Sequence, residues 1–403
     1  MKILVLNSGS SSQKSCLYEI AGALPVHAPN PVWEAKIEWD DNAADVQIKT
    51  PKEVTLRKRV VASSRREALD HLLRSLWEGD VPAVEKPSDI SIVGHRIVHG
   101  GDKFAEPIVV TEEVRRAISS LAVFAPLHNR AELQGIEMIE HLLGNVPQVA
   151  VFDTAFHHCL PRAAAVYPGP YEWYEQGIRR YGFHGINHQY CAQRAAQLLG
   201  KPLDSLRLIS CHLGNGCSLA AIEGGKSIET TMGFTPLEGL MMGTRSGSVD
   251  PGILTYLIRE KAMDGQRLDA LLNKESGLLG ISGVSSDMRE ILKAKNSGNE
   301  RAQLAFDIFA HRLRSGIGSM AAALNGLDVL IFTAGIGENS GEVREAACAG
   351  LGFLDLKLDP LKNEQTPRDQ DISAPNAAVR VLVIRAQEDW AIARECWNIC
   401  SNR

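Results

Sequence analysis

Short apolar runs alternate with stretches of helical periodicity along most of the chain. Five apolar runs predict buried strands, at residues 90–94, 149–152, 206–210, 329–333 and 379–384. Five stretches with apolar residues three or four positions apart predict helices, at residues 67–77, 131–143, 188–199, 300–324 and 388–400. This alternation is typical of α/β layers with partly parallel sheets. Residues 355–378 are polar and rich in Pro, Asn and Asp, and we expect irregular surface structure there.

The first turn of the chain is a candidate phosphate loop. An apolar run at residues 3–6 ends in Asn7 and a turn of serines and glycine, and Lys14 follows in a second alternating segment. Backbone N–H groups and hydroxyls at such a turn suit a phosphate, although an ordinary serine-rich hairpin fits the segment equally well. It is not a P-loop, because that motif requires glycine at Ser8 and Gln13.

The same organisation recurs about two hundred residues later. Residues 208–222 again run from a strand through a polar, glycine-containing turn into an alternating segment. Two such hairpins predict a duplicated domain with one phosphate loop in each half.

A third glycine-containing loop follows the predicted strand 329–333. Glycines let a nucleotide lie against the backbone, and a helix amino terminus favours phosphate; the alternative is a plain strand-to-helix turn. Asn339 with Glu342 resembles a capping box, which predicts a helix that begins at Gly341.

Two arginines and a histidine lie in glycine-rich segments. Arg96 and Arg245 suit an anionic substrate, because guanidinium groups bind carboxylate and phosphate oxygens bidentately, whereas an isolated arginine is more often a solvated surface charge. His184 fits either a hydrogen-bonded core histidine or a donor to a phosphoryl oxygen. His95 and His99 have a metal-ligand spacing, but their β-branched, glycine-containing surroundings argue against a helix and hence against zinc.

Two carboxylates lie at positions where chemistry is common. Asp153 follows a predicted strand, where α/β folds place ligand groups, although a helix N-cap explains it as well. Glu388 is the first residue of the last predicted helix, where an acid complements the helix dipole. Magnesium bound to nucleotide phosphates takes one or two protein oxygens, and Glu388 or Asp153 with Asn7 could supply them.

Composition limits the classes of function. A length of 403 residues predicts two to three domains, and a net charge of −5 gives no case for nucleic acid or an anionic membrane as partner. The eight cysteines contain no C-x-x-C pair, and no segment approaches 18 consecutive apolar residues. We expect a cytoplasmic protein.

Seven motifs, in order along nearly the whole chain, together resemble acetate kinase. They are residues 7–12, 95–101, 152–157, 181–185, 212–216, 233–239 with Arg245, and 335–339. That family belongs to the acetate and sugar kinase, Hsp70 and actin superfamily. The resemblance implies an α/β fold of duplicated ribonuclease H-like (actin-like ATPase) domains with a nucleotide cleft between them. It implies one half at residues 1–154 plus 386–403 and another at 155–385, which would carry most nucleotide contacts.

The resemblance also implies an activity. This is the reversible, Mg²⁺-dependent transfer of the γ-phosphoryl group of ATP to acetate by direct in-line displacement, giving acetyl phosphate and ADP, with Mn²⁺ as an alternative metal. A propionate or butyrate kinase of the same family is the nearest rival. An ATP-driven binding protein of the Hsp70 or actin type is a rival from another class. The family resemblance suggests a homodimer.

Site residues follow from the resemblance position by position. Catalytic roles fall on Asp153, His184 and Arg245. Arg96 would bind the substrate carboxylate, and the apolar pocket for the acyl methyl would be Val98, Leu127, Phe183 and Pro236. The nucleotide segments would be Ser10, Ser12, Lys14, His212, Leu213, Gly214, Asn215, Gly216, Asp287, Met288, Arg289, Gly335, Ile336, Gly337, Glu338 and Asn339. Asn7 and Glu388 would hold the metal. Three places depart from the family pattern: Cys217, Ile186-Asn187 and Ala386-Gln387.

Overall fold

The computed structural model describes residues 1–8, 12–40, 43–50, 55–60, 65–78, 82–123, 126–365 and 367–401. The chain divides into two compact units. The first unit contains Met1–Ala155 and Gln387–Arg403, and the second contains Phe156–Ala386. Among the described helices, none combines the length and apolar character that a membrane crossing requires.

Each unit is built around one β-sheet. The strands of the first unit are β1 (Lys2–Ser8), β2 (Ser12–Glu19), β3 (Trp33–Asp40), β4 (Ala43–Lys49), β5 (Thr55–Val60), β6 (Ile92–Ile97), β7 (Ile108–Val109) and β8 (Gln148–Phe152). The strands of the second unit are β9 (Arg207–Leu213), β10 (Cys217–Glu223), β11 (Lys226–Thr230), β12 (Val329–Thr333), β13 (Gln370–Asp371) and β14 (Arg380–Val383).

Helices cover both sheets. In chain order they are α1 (Arg65–Arg74), α2 (Glu112–Ser120), α3 (Pro126–Leu143), α4 (Arg162–Ala165), α5 (Tyr171–Glu175), α6 (Gly185–Leu199), α7 (Pro251–Lys261), α8 (Gly265–Lys274), α9 (Gly277–Ser282), α10 (Met288–Asn296), α11 (Glu300–Ala323), α12 (Ala334–Asn339), α13 (Gly341–Cys348), α14 (Pro360–Glu364) and α15 (Glu388–Ser401).

The two sheets share the same arrangement of core strands. The first runs β5-β4-β3-β2-β1-β6-β8-β7, with β1 antiparallel to β2 and parallel to β6, and β6 parallel to β8. The second runs β11-β10-β9-β12-β14-β13, with β9 antiparallel to β10 and parallel to β12, and β12 parallel to β14. Each unit therefore has an antiparallel hairpin joined to two further parallel strands. The predicted α/β class and the duplication are confirmed.

The last helix packs on the first sheet at very short range. α15 lies against β1 and β6. A Cβ atom at Gly94 of β6 would lie 2.6 Å from both Cys396 Sγ and Ile392 Cγ2 of α15, so only glycine permits this approach. The packing places the first turn of α15 beside the carboxyl end of β1, and this turn contains Glu388 and Asp389.

Most predicted elements are present, with shifted ends. The strand predicted at 329–333 coincides with β12, and the helix predicted at 300–324 ends one residue early. The strand predicted at 90–94 begins at Ile92 and continues to Ile97. The helices predicted from 131 and 188 begin earlier, at Pro126 and Gly185.

Two local predictions are wrong. Asn339 does not cap the helix that begins at Gly341: it ends α12, and its Nδ2 donates to the Gly335 carbonyl at 2.8 Å. Ser340 caps α13 instead, accepting from the Val343 N–H at 3.3 Å. Residues 355–378 are also not simply irregular surface, because α14 and β13 lie there and Ile372 and Ser373 are fully buried.

Candidate active site

The first unit gathers charged side chains at the carboxyl ends of its parallel strands. Asn7 lies near the end of β1, Arg96 near the end of β6, and Asp153 directly after β8. Because these strands are parallel neighbours, their carboxyl ends meet at one edge of the sheet, where α/β folds bind ligands. Glu388 and Asp389 reach the same edge from α15.

Arg96 is held by two of these residues. Its Nε donates to Asp153 Oδ2 at 3.0 Å, its Nη2 donates to the same oxygen, and its Nη1 donates to Asn7 Oδ1 at 3.3 Å. Burial lowers the pKa of Arg96, but Asp153 and Glu388 more than offset this, so the net shift is upward. Arg96 is therefore a fixed cation whose orientation is set by Asp153, and Asp153 is not a helix N-cap.

Asn7 joins Arg96 to the acidic turn of α15. Its Nδ2 donates to Glu388 Oε2 at 3.2 Å and to Asp389 Oδ1 at 3.0 Å, while its Oδ1 faces Arg96. The predicted metal residues Asn7 and Glu388 are thus neighbours, but the amide presents its nitrogen to the carboxylates. The oxygen donor that fits Mg²⁺ at this turn is the half-buried carboxylate of Glu388, because both oxygens of the buried Asp389 are bonded by Asn7 and Lys14.

Lys14 lies beside the same acidic turn. Its Nζ forms a 2.6 Å ion pair with Asp389 Oδ2. Burial lowers the pKa of Lys14, but Asp389 and other nearby groups together outweigh burial, so the net shift of the pKa is upward. Ser10 lies outside the described residues, and Ser12 begins β2 with a side chain that is likewise not described.

A buried carboxylate supports the segment after Arg96. The backbone N–H of Val98 donates to both carboxylate oxygens of Glu132, at 3.2 and 3.1 Å, and both residues are buried. Burial raises the pKa of Glu132 to about 8, although the Val98 hydrogen bond and Arg96 oppose the shift. Leu127, predicted to join Val98 in the acyl pocket, lies in α3 with a side chain outside the described set.

In the second unit, two histidines stack beside the turn between β9 and β10. The rings of His184 and His212 lie 3.9 Å apart with planes 13° from parallel. His184 has the left-handed conformation (φ 57°, ψ 22°) immediately before α6, which is uncommon for any residue other than glycine and is found at functional sites. Phe183 beside it is buried.

Arg245 reaches the same turn. A Cβ atom at Gly216 would lie 2.7 Å from Arg245 Nη2 and 3.4 Å from Nε2 and Cε1 of His184. Arg245 Nη1 donates to the Pro236 carbonyl at 2.7 Å. Burial lowers the pKa of Arg245, and no described carboxylate forms an ion pair with it. His184 and Arg245 therefore converge on Gly216, which has no side chain.

The predicted nucleotide segments of this unit line one cavity of about 760 Å³, within the usual size of a ligand site. The lining includes Gly214 and Asn215 of the β9–β10 turn, residues 286–289, and Gly335, Ile336 and Asn339 of α12. His212, Leu213, Gly216, Gly337 and Glu338 are not among the lining residues. The third glycine loop is itself a short helix rather than an open loop.

Arg344 supports α12 from beneath and was missed by sequence reasoning. This buried side chain donates to the carbonyls of Gly337 and Glu338, each at 2.9 Å, and to Oδ1 and the carbonyl of Asn363. The position of Arg344, three residues after Gly341, did not indicate these hydrogen bonds. Asp389 was missed as well, although two adjacent acids at the start of a helix are a recognisable signal.

The structure gives no support to the hypothesis that His95 and His99 bind zinc. His95 lies within β6, and its Nε2 bonds Gln148 Oε1 at 2.7 Å. Among the described residues, no group of three or more His, Cys, Asp or Glu is arranged to hold a metal ion.

Comparison with known proteins identifies the family. The model of the acetokinase family matches residues 2–394. The chain belongs to the acetokinase family. It is 60% identical to the acetate kinase of Nostoc punctiforme, with all of both chains covered, and 60% identical to that of Gloeobacter violaceus, with 98% and 99% covered.

Solved structures of the family have the same fold. A crystal structure of Porphyromonas gingivalis acetate kinase matches with a TM-score of 0.91 and 39% identity over 99% of each chain. A propionate kinase from Francisella tularensis subsp. tularensis matches with a TM-score of 0.90 and 36% identity, covering 98% of this chain and 99% of that one. The actin-like fold class and a kinase activity are thereby confirmed for this acetokinase-family chain.

Proposed function

We propose that this chain catalyses the reversible transfer of the γ-phosphoryl group of ATP to acetate, giving acetyl phosphate and ADP. The observation that carries the proposal is the convergence of Arg245 and His184 on Gly216, next to the cavity lined by the nucleotide segments. A buried cation and a ring N–H at this place would meet the terminal phosphate of a nucleotide bound in the cavity. Family membership supports the substrates.

The reaction does not need a general base. A small carboxylic acid has a pKa of about 4 to 5 and is already ionised at neutral pH. The difficulty is the approach of two anions, which positive charge and hydrogen-bond donors must offset. We assign this role to Arg96, Arg245 and His184, and we assign to Asp153 the orientation of Arg96, because its carboxylate bonds that guanidinium.

The metal site fits a hard cation. Glu388 would hold Mg²⁺, directly or through water, and the ion would neutralise phosphate charge. Asn7 would act on this site through the two carboxylates to which its Nδ2 donates. Mn²⁺ suits the same oxygen donors.

The acyl pocket would determine the choice of acid. A propionate kinase among the similar structures makes the longer acid the second candidate. One methylene is worth only about 1–3 kcal/mol in an apolar pocket, so a single residue can decide between them.

The decisive experiment traps the product. Hydroxylamine converts acyl phosphates to hydroxamates, so the purified protein is incubated with ATP, Mg²⁺ and acetate, propionate or butyrate. We expect hydroxamate and ADP in equal amounts, with the highest kcat/KM for acetate. ADP release that is independent of any acid would refute the proposal and favour an ATP-driven binding protein. A highest kcat/KM for propionate or butyrate would establish the second candidate.

Assembly and location are further parts of the proposal. α7 exposes Ile253, Tyr256 and Ile258, and none of its residues is buried. A homodimer that covers this helix accounts for apolar side chains that water would otherwise surround. Sedimentation equilibrium distinguishes a dimer from a monomer. The eight free cysteines agree with a reducing cytoplasm, which stays a prediction from sequence.

A further inference from the structure

A chain of buried hydrogen bonds runs from His184 into the core of the second unit. His184 Nδ1 lies 2.9 Å from Ser218 Oγ, and the same oxygen lies 2.8 Å from His188 Nε2. His188 Nδ1 lies 2.9 Å from Ser210 Oγ. Ser218, His188 and Ser210 are fully buried. No step of the proposed mechanism uses these three residues.

Elementary geometry brings the four residues together. His184 accepts the first backbone bond of α6, from the His188 N–H at 2.9 Å, so the two rings lie one helical turn apart on one face. Ser210 and His212 are two positions apart in β9 and share a face of the sheet. Ser218 in β10 is paired with His212, which brings its hydroxyl between the two histidines.

The number of available hydrogens limits the directions that these hydrogen bonds can take. A serine hydroxyl has one proton, so Ser218 can donate to His184 Nδ1 or to His188 Nε2 but not to both. Burial, reinforced by His157 and His212, lowers the pKa of His188 well below its ordinary value, so this ring is neutral and has a single N–H. If His188 donates from Nε2, the Ser218 proton is free to serve His184 Nδ1, and Ser210 serves His188 Nδ1.

This arrangement leaves the hydrogen of a neutral His184 on Nε2, the nitrogen that faces Gly216. In the opposite arrangement a neutral His184 would present a lone pair there, which repels a phosphoryl oxygen. The stacked ring of His212 also has an unprotonated Nδ1, because Asn187 Nδ2 donates to this nitrogen at 2.9 Å. Both stacked imidazoles then have their N–H at Nε2.

We propose that Ser218, His188 and Ser210 are positioning residues that fix His184 as the neutral Nε2–H tautomer. The proposal rests on the proposed function in one respect: it takes His184 as a donor to the transferred phosphoryl group. The wrong tautomer of a catalytic histidine removes its donor from the reaction while leaving its ring in place. Loss of these hydrogen bonds should therefore lower kcat and leave the binding of both substrates intact.

The kinetic test compares two buried hydroxyls on neighbouring strands. Ser218→Ala removes the hydroxyl that serves His184, and Thr230→Val removes one that donates only to the Leu219 carbonyl in the described structure, at 2.8 Å. For Ser218→Ala we expect kcat to fall by about 10- to 100-fold, the range seen when a partner that orients a functional histidine is removed, with KM for ATP and acetate within about twofold. Thr230→Val should keep wild-type kcat. Equal kcat in the two variants would overturn the proposal.

A second measurement does not depend on activity. Histidine labelled with ¹⁵N reports its tautomer in two-bond ¹H–¹⁵N correlation spectra, and the signals of His184 are those lost in His184→Gln. In the wild type we expect a protonated Nε2 and an unprotonated Nδ1 at His184, and in Ser218→Ala a mixture of tautomers. A hydrogen on Nδ1 in the wild type would overturn the proposal. If the enzyme transfers no phosphoryl group to acetate, the spectrum still shows whether these hydrogen bonds fix the tautomer of His184. The wild-type spectrum alone gives this result, even if Ser218→Ala fails to fold.

Discussion

Gly216 offers a perturbation whose size can be read from the structure. Alanine at this position would place its Cβ atom 2.7 Å from Arg245 Nη2 and 3.4 Å from the ring of His184. Since 3.4 Å is an ordinary contact and 2.7 Å is not, the histidine can stay and the guanidinium must retreat by about 0.7 Å. Arg245 is the far end of a flexible side chain, so the fold should tolerate the movement.

A displacement of this size matters for catalysis. A misplacement of about 1 Å in a charge-stabilising group costs roughly 10²-fold in rate. We therefore expect Gly216→Ala to lower kcat by about 10- to 100-fold, with an unchanged midpoint of thermal unfolding. The assay is the initial rate of hydroxamate formation with acetate and ATP varied separately.

Gly214 in the same turn supplies the matched control. A Cβ atom there would have its nearest neighbours at 3.4, 3.8 and 3.9 Å, so nothing has to move. Gly214 lines the cavity to which we assign the nucleotide, and Gly214→Ala should change at most KM for ATP. Wild-type kcat in Gly216→Ala, or equal loss of kcat in both variants, would refute the argument.

Three further predictions concern buried charges. Arg96→Ala should raise KM for acetate strongly and, because Asp153 loses its partner, lower the free energy of unfolding by about 3 kcal/mol; an unchanged KM would remove Arg96 from the acyl site. Arg245→Leu should lower kcat by about 10²–10³ without lowering the unfolding midpoint, and a near-normal kcat would contradict its role. For Glu132, burial raises the pKa from 4.5 to about 8, so its contribution to stability is full below pH 4.5 and is lost as pH rises towards 8. Because buried histidines with lowered pKa values also make stability depend on pH, the test is the difference between Glu132→Gln and the wild type: denaturant unfolding should show the variant gaining a few kcal/mol relative to the wild type between pH 5 and pH 8, and a difference that is independent of pH would rule Glu132 out.

The parallel core strands were largely predictable because each contains a run of apolar residues, whereas β3, β4 and β5 were not predicted. β12 reads Val-Leu-Ile-Phe-Thr and is buried throughout, and the sequence prediction matches it residue for residue. The internal repeat was readable for a similar reason, since each hairpin shows a buried strand, a polar turn and a return strand. Ends were less certain: Ser340 and Asn339 are adjacent capping residues, and only the backbone decides which of them caps α13.

The contacts within the site could not be predicted from the sequence. Arg96 and Asp153 are 57 positions apart, and Asn7 and Asp389 are 382 apart, so only the sheet order and the packing of α15 bring them together. Glu132 on α3 gives no signal in sequence, because a carboxylate on a helix is usually solvated. The chain at His184 had a partial signal in the four-residue spacing to His188 and the Ser210-x-His212 alternation within a buried strand.

Arg96 and Arg245 show two ways of keeping a cation in the protein interior. Arg96 is paired with Asp153, so most of its cost of burial is offset by a neighbouring charge, and its removal takes this positive charge away from a buried carboxylate. Arg245 bonds a backbone carbonyl, and burial lowers its pKa, so its charge is destabilising until an anion arrives. A charge held in this state interacts strongly with a developing phosphoryl charge, because no carboxylate among the described residues forms an ion pair with it. The two arginines should therefore respond oppositely to neutral replacement: stability falls at position 96 and is kept or gained at position 245, while activity falls at both.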